Sequence, residues 1–265
     1  MAVSPRGLSD YLLSHGRPVV TLSEAAGILG VDVGQASAAL VRLRRANQMF
    51  SPARGLYIAV PPEHRMWGAI PAMDFIDPMM RALGREYYVG LLSAAELHGA
   101  AHQRPQVFQV MADGRVDNRD FGRVRVRFYR LAGAGRRPVE LRNTRTGQAR
   151  VATAPVVALD LASRPRDGGG LSNVATVVVE LARAGTIPAS SLLAVAPLYP
   201  LAPLQRVGWL LDRFGERAVD TEPLARAVTA RSPRSDTLLL PGGPRRGHRD
   251  QRWGLVENED VEPDL

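Results

Sequence analysis

In residues 21–60, TLSEAAGILGVDVGQASAALVRLRRANQMFSPARGLYIAV, helix start and stop signals follow one another so closely that few arrangements satisfy them all. Thr21 or Ser23 supplies an N-cap oxygen, and Gly30 ends the helix that follows, because glycine takes the left-handed conformation at a helix end without steric cost. Asp32 then caps a further helix running to about Asn47. Small Ala25 and Ala26 let the two helices approach closely through the turn at GVD. This is helix-turn-helix logic. Upstream, LSDYLLSHG predicts a short helix closed by Gly16; downstream, QMF and LYIAV predict two strands around a turn at SPARG.

At 100° per residue the helix after Asp32 gathers Ala36, Leu40, Leu43 and Asn47 on one stripe, with Val33 at its margin. Gln35, Ala38, Arg42 and Arg45 oppose it, and Ser37 and Val41 lie on the flank. A major groove admits a helix whose leading turns are slim and polar, with cations near the phosphate walls. Gly34, Gln35, Ser37 and Ala38 meet the first condition and the later arginines the second. Arg54 sits beside Gly55 at the tip of the hairpin, where a wing would touch the backbone or the minor groove. An amphipathic helix also carries arginines simply to stay wet, and winged helices also dock proteins; both readings stay open from the residues alone.

The charge balance bears on this choice. The 265 residues carry a net +8, and every one of the 34 basic residues is arginine. A GC-rich coding sequence produces the same bias, but the consequence holds regardless: any anion contact is made by guanidinium forks. There is no cysteine, which excludes disulfides and thiolate metal sites and fits a reducing cytosol. The N-terminus lacks the apolar core of a signal peptide, and no apolar run reaches the roughly 18 residues of a membrane span. A cytoplasmic protein is expected.

PPEH at 61–64 marks a domain edge, so the expected organisation is a DNA-binding domain over 1–62 and a larger mixed α+β domain over 63–265 ending in an acidic tail. Within the second, LLSAAELHGA, PVVALDLASRP, LSNVATVVVELARAG and LAPLQRVGWLLDRFG read as helices, the third capped by Ser172 or Asn173. PQVFQVMA, GRVRVRFYRL and ARVATAP read as strands. Alternation in RVRVRF puts Arg123, Arg125 and Arg127 on one strand face and Val124, Val126 and Phe128 on the other. That basic face is either solvated or meets an anion; residues 64–167 hold 17 arginines against 10 acids.

Other constellations carry less. His98 and His102 are four apart, but Gly99 ends the helix between them and no HExxH order is present. RDGGGLS lacks the lysine of a phosphate loop. Asp74, Asp77 and Asp160 lack the clustering and the lysine that nuclease chemistry commonly uses, and no serine stands in a hydrolase elbow. No catalytic residue, metal or cofactor is expected.

Four stretches in order, YYVGLLSAAELHGAAHQRPQVFQVMA, ARVATAPVVALDLASRP, LQRVGWLLDRFG and RWGLVENEDVE, resemble the AbiEi-type antitoxins of abortive-infection, type IV toxin–antitoxin systems. The likeness runs from Thr21 to about Glu262. It implies an N-terminal winged helix-turn-helix joined to an antitoxin domain, repression of the protein's own operon through inverted repeats, and neutralisation of a nucleotidyltransferase-fold toxin. It also maps DNA-reading positions onto Gln35, Ser37, Arg42, Arg45 and Arg54, with Ala38 where many such helices carry a long polar side chain. The serine-then-paired-aspartate pattern of the toxins is missing, so the chain reads as the antitoxin. Two rivals remain: a stand-alone winged-helix regulator whose second domain dimerises or binds a ligand, and a nuclease guided by a DNA-binding module.

Overall fold

A computed structural model describes residues 3–100, 106–231 and 237–265. The class is the expected one, mixed α and β. By internal contacts the chain divides into two units: unit 1 holds residues 1–88, 106–135 and 141–150, and unit 2 holds residues 89–105, 136–140 and 151–265.

Unit 1 opens with α1 (Leu8–Ser14), β1 (Val19–Thr21), α2 (Leu22–Leu29), α3 (Val33–Arg45), β2 (Met49–Ala53) and β3 (Leu56–Ala59). Thr21 caps α2 through a reciprocal pair: its hydroxyl accepts the Glu24 N–H at 3.2 Å, and Glu24 Oε2 accepts the Thr21 N–H at 2.7 Å. That second bond holds the Glu24 carboxyl below the usual glutamate range. Gly30, at φ 64°, closes α2, and the chain bends by 101° into α3. Leu8, Leu12, Ala25, Leu29, Ala36 and Leu40 form the core between the three helices.

Three details differ from expectation. The strand β1 is new; it pairs antiparallel with β3 to give the order β1-β3-β2, and three residues are too few for an alternating pattern to register in the sequence. The hairpin turn is only Arg54–Gly55, because Ser51 and Pro52 lie inside β2. Pro52 has no N–H to offer the ladder, and it is accommodated by a register shift between Phe50 and Ala53. Asn47 does not continue the inner stripe of α3; the helix ends at Arg45 and Asn47 is exposed at φ 53°.

Unit 1 continues through a 3-10 turn (Pro62–Trp67) and α4 (Ala72–Ala82). A six-stranded sheet follows, built from β4 (Tyr87–Val89), β5 (Phe108–Ala112), β6 (Arg119–Phe121), β7 (Val124–Arg130), β8 (Val139–Thr144) and β9 (Gly147–Ala152) in the order β6-β7-β5-β4-β9-β8. Phe50, Phe75 and Phe121 meet edge to face with ring centroids 5.1 to 5.7 Å apart.

Unit 2 is mainly helical: α5 (Leu91–Leu97), α6 (Ala154–Ser163), α7 (Leu171–Arg183), α8 (Ala189–Val195), α9 (Leu201–Phe214) and α10 (Glu222–Ala230). A small sheet of β10 (Thr237–Leu238), β11 (His248–Asp250) and β12 (Leu255–Glu257) completes it. Helix α6 is apolar all round, as a helix must be to be buried on every side, and every residue from Ala154 to Ala162 is buried. Helix α7 is capped by Gly170 rather than by Ser172 or Asn173. The Asn173 side chain instead donates to the Gly168 carbonyl at 2.7 Å, which ties the glycine run to the helix. Among the described residues no single helix is long and apolar enough to cross a membrane.

Candidate nucleic-acid interface

The Asp32 side chain accepts the Gln35 N–H at 2.9 Å and so fixes where α3 begins. Ala36, Ala39, Leu40 and Leu43 are buried, which turns the remaining positions to solvent. At 100° per residue Gly34, Ala38, Val41 and Arg45 run along the middle of the outward face. Val33, Ser37 and Arg44 line one side of it, Gln35 and Arg42 the other.

Of the residues expected to meet DNA, Gln35, Arg42, Arg45 and Arg54 are exposed and Ser37 is half-buried. None of their side chains forms a hydrogen bond or ion pair among the described residues. The same holds for Arg44, which the sequence reading passed over. It lies off the pole opposite the buried stripe, but a full helical wheel places it on the accessible rim beside Ser37. Arg44 and Arg45 border a groove with Val41, Asn47 and Phe50, while Arg42 borders another with Arg6 and Gln48. Cations thus flank α3 on both sides.

The second basic candidate is less uniform than its sequence. Arg125 and Arg127 lie in β7, but Arg123 falls one residue before the strand begins. Its N–H donates to the Trp67 carbonyl at 3.3 Å. Gly122, at φ 57°, lets the chain pass there, since a Cβ on it would lie 1.8 Å from that carbonyl oxygen. Arg127 pairs with Asp120 at 2.6 Å, and β6 sets Asp120 opposite Arg125. The Arg127 hydrogen bond lowers the Asp120 carboxyl from its usual range, and the same bond raises the guanidinium. The face carries a partly neutralised charge rather than three free cations in a row.

The acids weighed for nuclease chemistry are spread and engaged. Asp77 accepts from Tyr87 at 3.0 Å and from Arg81 at 2.8 Å, Asp74 accepts the Arg145 N–H at 3.0 Å, and buried Asp160 accepts from Tyr199 at 2.8 Å. Burial, reinforced by Asp77, pushes the Tyr87 hydroxyl well above an ordinary phenol. Among the described residues no three potential metal ligands cluster. His98 Nε2 lies 2.7 Å from the Ala152 carbonyl, while His102 lies outside the described residues.

Arginine serves a different purpose in unit 2. Arg206, 6% exposed, donates to the carbonyls of Ala162 and Leu238, and burial pulls its pKa down to about 10. Arg137 stacks 3.9 Å over the Tyr199 ring. Two of the stretches that carry the family resemblance also meet here. Trp253 of RWGLVENEDVE is fully buried, and its indole donates to Asp212 at 2.8 Å. Gln205 of LQRVGWLLDRFG donates to the Trp253 carbonyl at 2.8 Å, and the Trp209 indole donates to Glu257 at 3.0 Å. Gly208 leaves space for the indole, since a Cβ there would sit 2.1 Å from its ring. These motif residues are packing residues.

The comparisons with known proteins agree with this architecture. Residues 88–213 match the family model of the AbiEi antitoxin C-terminal domain. The match falls in the stretch where the sequence resemblance is densest. The crystal structure of the RV2827C protein from Mycobacterium tuberculosis shares the fold, with a TM-score of 0.68 at 16% identity, over 94% of this chain and 89% of that one. No curated protein sequence matches the chain.

Proposed function

We propose that this protein is an autorepressing antitoxin. Residues 1–62 act as a winged helix-turn-helix that binds inverted repeats in the protein's own promoter, and residues 63–265 neutralise a nucleotidyltransferase-fold toxin in the cytoplasm. The antitoxin half rests on the domain at 88–213. The DNA half rests on one observation: Arg42, Arg44, Arg45 and Arg54 stand exposed and unpaired around a helix whose leading turns are slim. Charge placement supports it. Residues 1–62 hold 6 arginines against 3 acids, a net +3.

Footprinting of the region upstream of the gene tests the DNA half. Protection of two inverted half-sites, each holding one copy, is expected; unprotected repeats would refute it. Within the helix, Gln35→Ala should reduce preference for the operator by roughly 1–3 kcal/mol if Gln35 reads a base edge. A nucleotidyltransferase-fold reading frame beside the gene is expected, and co-expression with its product tests the other half. The chain should restore growth, and replacing Arg123, Arg125 and Arg127 together by serine should weaken that rescue while the melting curve stays within about 1 kcal/mol. Full rescue by the stable triple variant would assign those residues to a merely solvated sheet face.

A further inference from the structure

Val33 and Val41 are the two large apolar side chains that α3 leaves in water, at 54% and 41% exposure. Lone exposed apolar residues need no explanation, but these two have a pattern. They stand eight apart and about 80° apart around the helix, Val33 at the edge of the outward face and Val41 in its middle, with Ser37 between them and Gly34 and Ala38 alongside. The strip starts at the capped first turn and meets the arginines only at Arg44 and Arg45. Helix stability does not account for the valines, since valine is a poorer helix former than alanine or the long polar residues a wet face usually carries. Nor do they complete the core, which takes Ala36, Ala39, Leu40 and Leu43.

Resting on the DNA-binding reading above, we infer that α3 selects its operator by packing Val33, Ala38 and Val41 against thymine 5-methyl groups in the major groove. The groove offers a helix two kinds of base information: hydrogen-bonding edges and the thymine methyl. Along the strip no long polar side chain stands ready for an edge; Gln35 lies off to one side with Arg42. What the strip offers is methyl groups. The flanking arginines supply the charge complementarity that holds such a surface against a polyanion. Ala38 is then itself a contact, since a longer residue there would hold the valines off the bases.

The test uses the full chain and its own operator duplex, with each thymine replaced in turn by uracil. This change removes one methyl and leaves the pairing and the groove hydrogen bonds intact. At the contacted positions affinity should fall about fourfold per methyl, the effect of exposing one buried carbon. Val41→Ala and Val33→Ala should weaken binding to the thymine operator and each remove the thymine–uracil difference at one position. If every uracil duplex binds as well as the parent while operator preference over unrelated DNA persists, the methyl contacts are refuted and the DNA-binding reading stands. If the chain shows no operator preference at all, both fall.

Discussion

The arginines around α3 in unit 1 and those at the core of unit 2 are used in opposite ways. In unit 1 the arginines of α3 and the hairpin point into water without partners, and the unit keeps a net +8. In unit 2 charge balances to zero, and arginines such as Arg206 and Arg137 are held against carbonyls and a ring. A guanidinium left in solvent adds little to folding and keeps its donors for an external anion, whereas a buried one adds to folding and offers nothing outward. On the proposed reading, the contrast separates a surface built to meet a polyanion from a body built to hold its shape.

The largest test of the contrast is Arg206→Ala. It should leave the Ala162 and Leu238 carbonyls unsatisfied, costing about 3 kcal/mol by the usual penalty for stranded buried acceptors. Urea titration measures this. Lysine should rescue little, because one ammonium cannot span carbonyls that a fork reaches together. A neutral result would erase the distinction between the units. Next, Thr21→Ala should cost about 1 kcal/mol by removing the cap of α2. The free arginines come after it. Alanine at Arg42, Arg44 or Arg45 should change stability by less than about 0.5 kcal/mol. Each should lower the slope of log affinity against log salt by about 1 if it contacts a phosphate, for all DNA sequences alike. A large stability loss there would place these arginines with those of unit 2.

The smallest effect belongs to Asp120 and Arg127, whose pairing is intermediate between the two uses. The folded-state pKa of Asp120 is lowered, so its stabilisation is present above the ordinary aspartate pKa and disappears as pH falls through the lowered value. Melting curves of the parent chain and Asp120→Asn should differ slightly at neutral pH and converge in acid. A gap that widened in acid would mean that the pairing does not set the titration.

How much of this was legible in the residues depended on how local each signal is. Thr21, Gly30 and Asp32 act within a few residues, so α2 and α3 could be placed from sequence, and the outward positions of α3 followed from its period. Gly16 and Gly99 mark ends of helices for the same reason. Nonlocal features were hidden. The strand β1 exists because β3 is there to receive it, and Pro52 sits in a strand because the partner register shifts around it. The seat that α9 provides for Trp253 depends on a glycine 45 positions earlier, which no local pattern reveals. Arg44 is harder to read from the period because it lies on the rim near Ser37, well away from the pole opposite the buried stripe.

Thr21 is at once the last residue of β1 and the cap of α2, and the next N–H, that of Leu22, donates to the Gly55 carbonyl at the hairpin tip. Hairpin, strand and helix are therefore coupled like parts of one lever, and the hairpin cannot swing without dragging the start of α2. On the proposed reading, the ordering of the wing is complete before any DNA arrives. Recognition then behaves as key and lock: a wrong operator is met by a head that does not reshape itself, and the misfit appears as rapid escape rather than as adaptation.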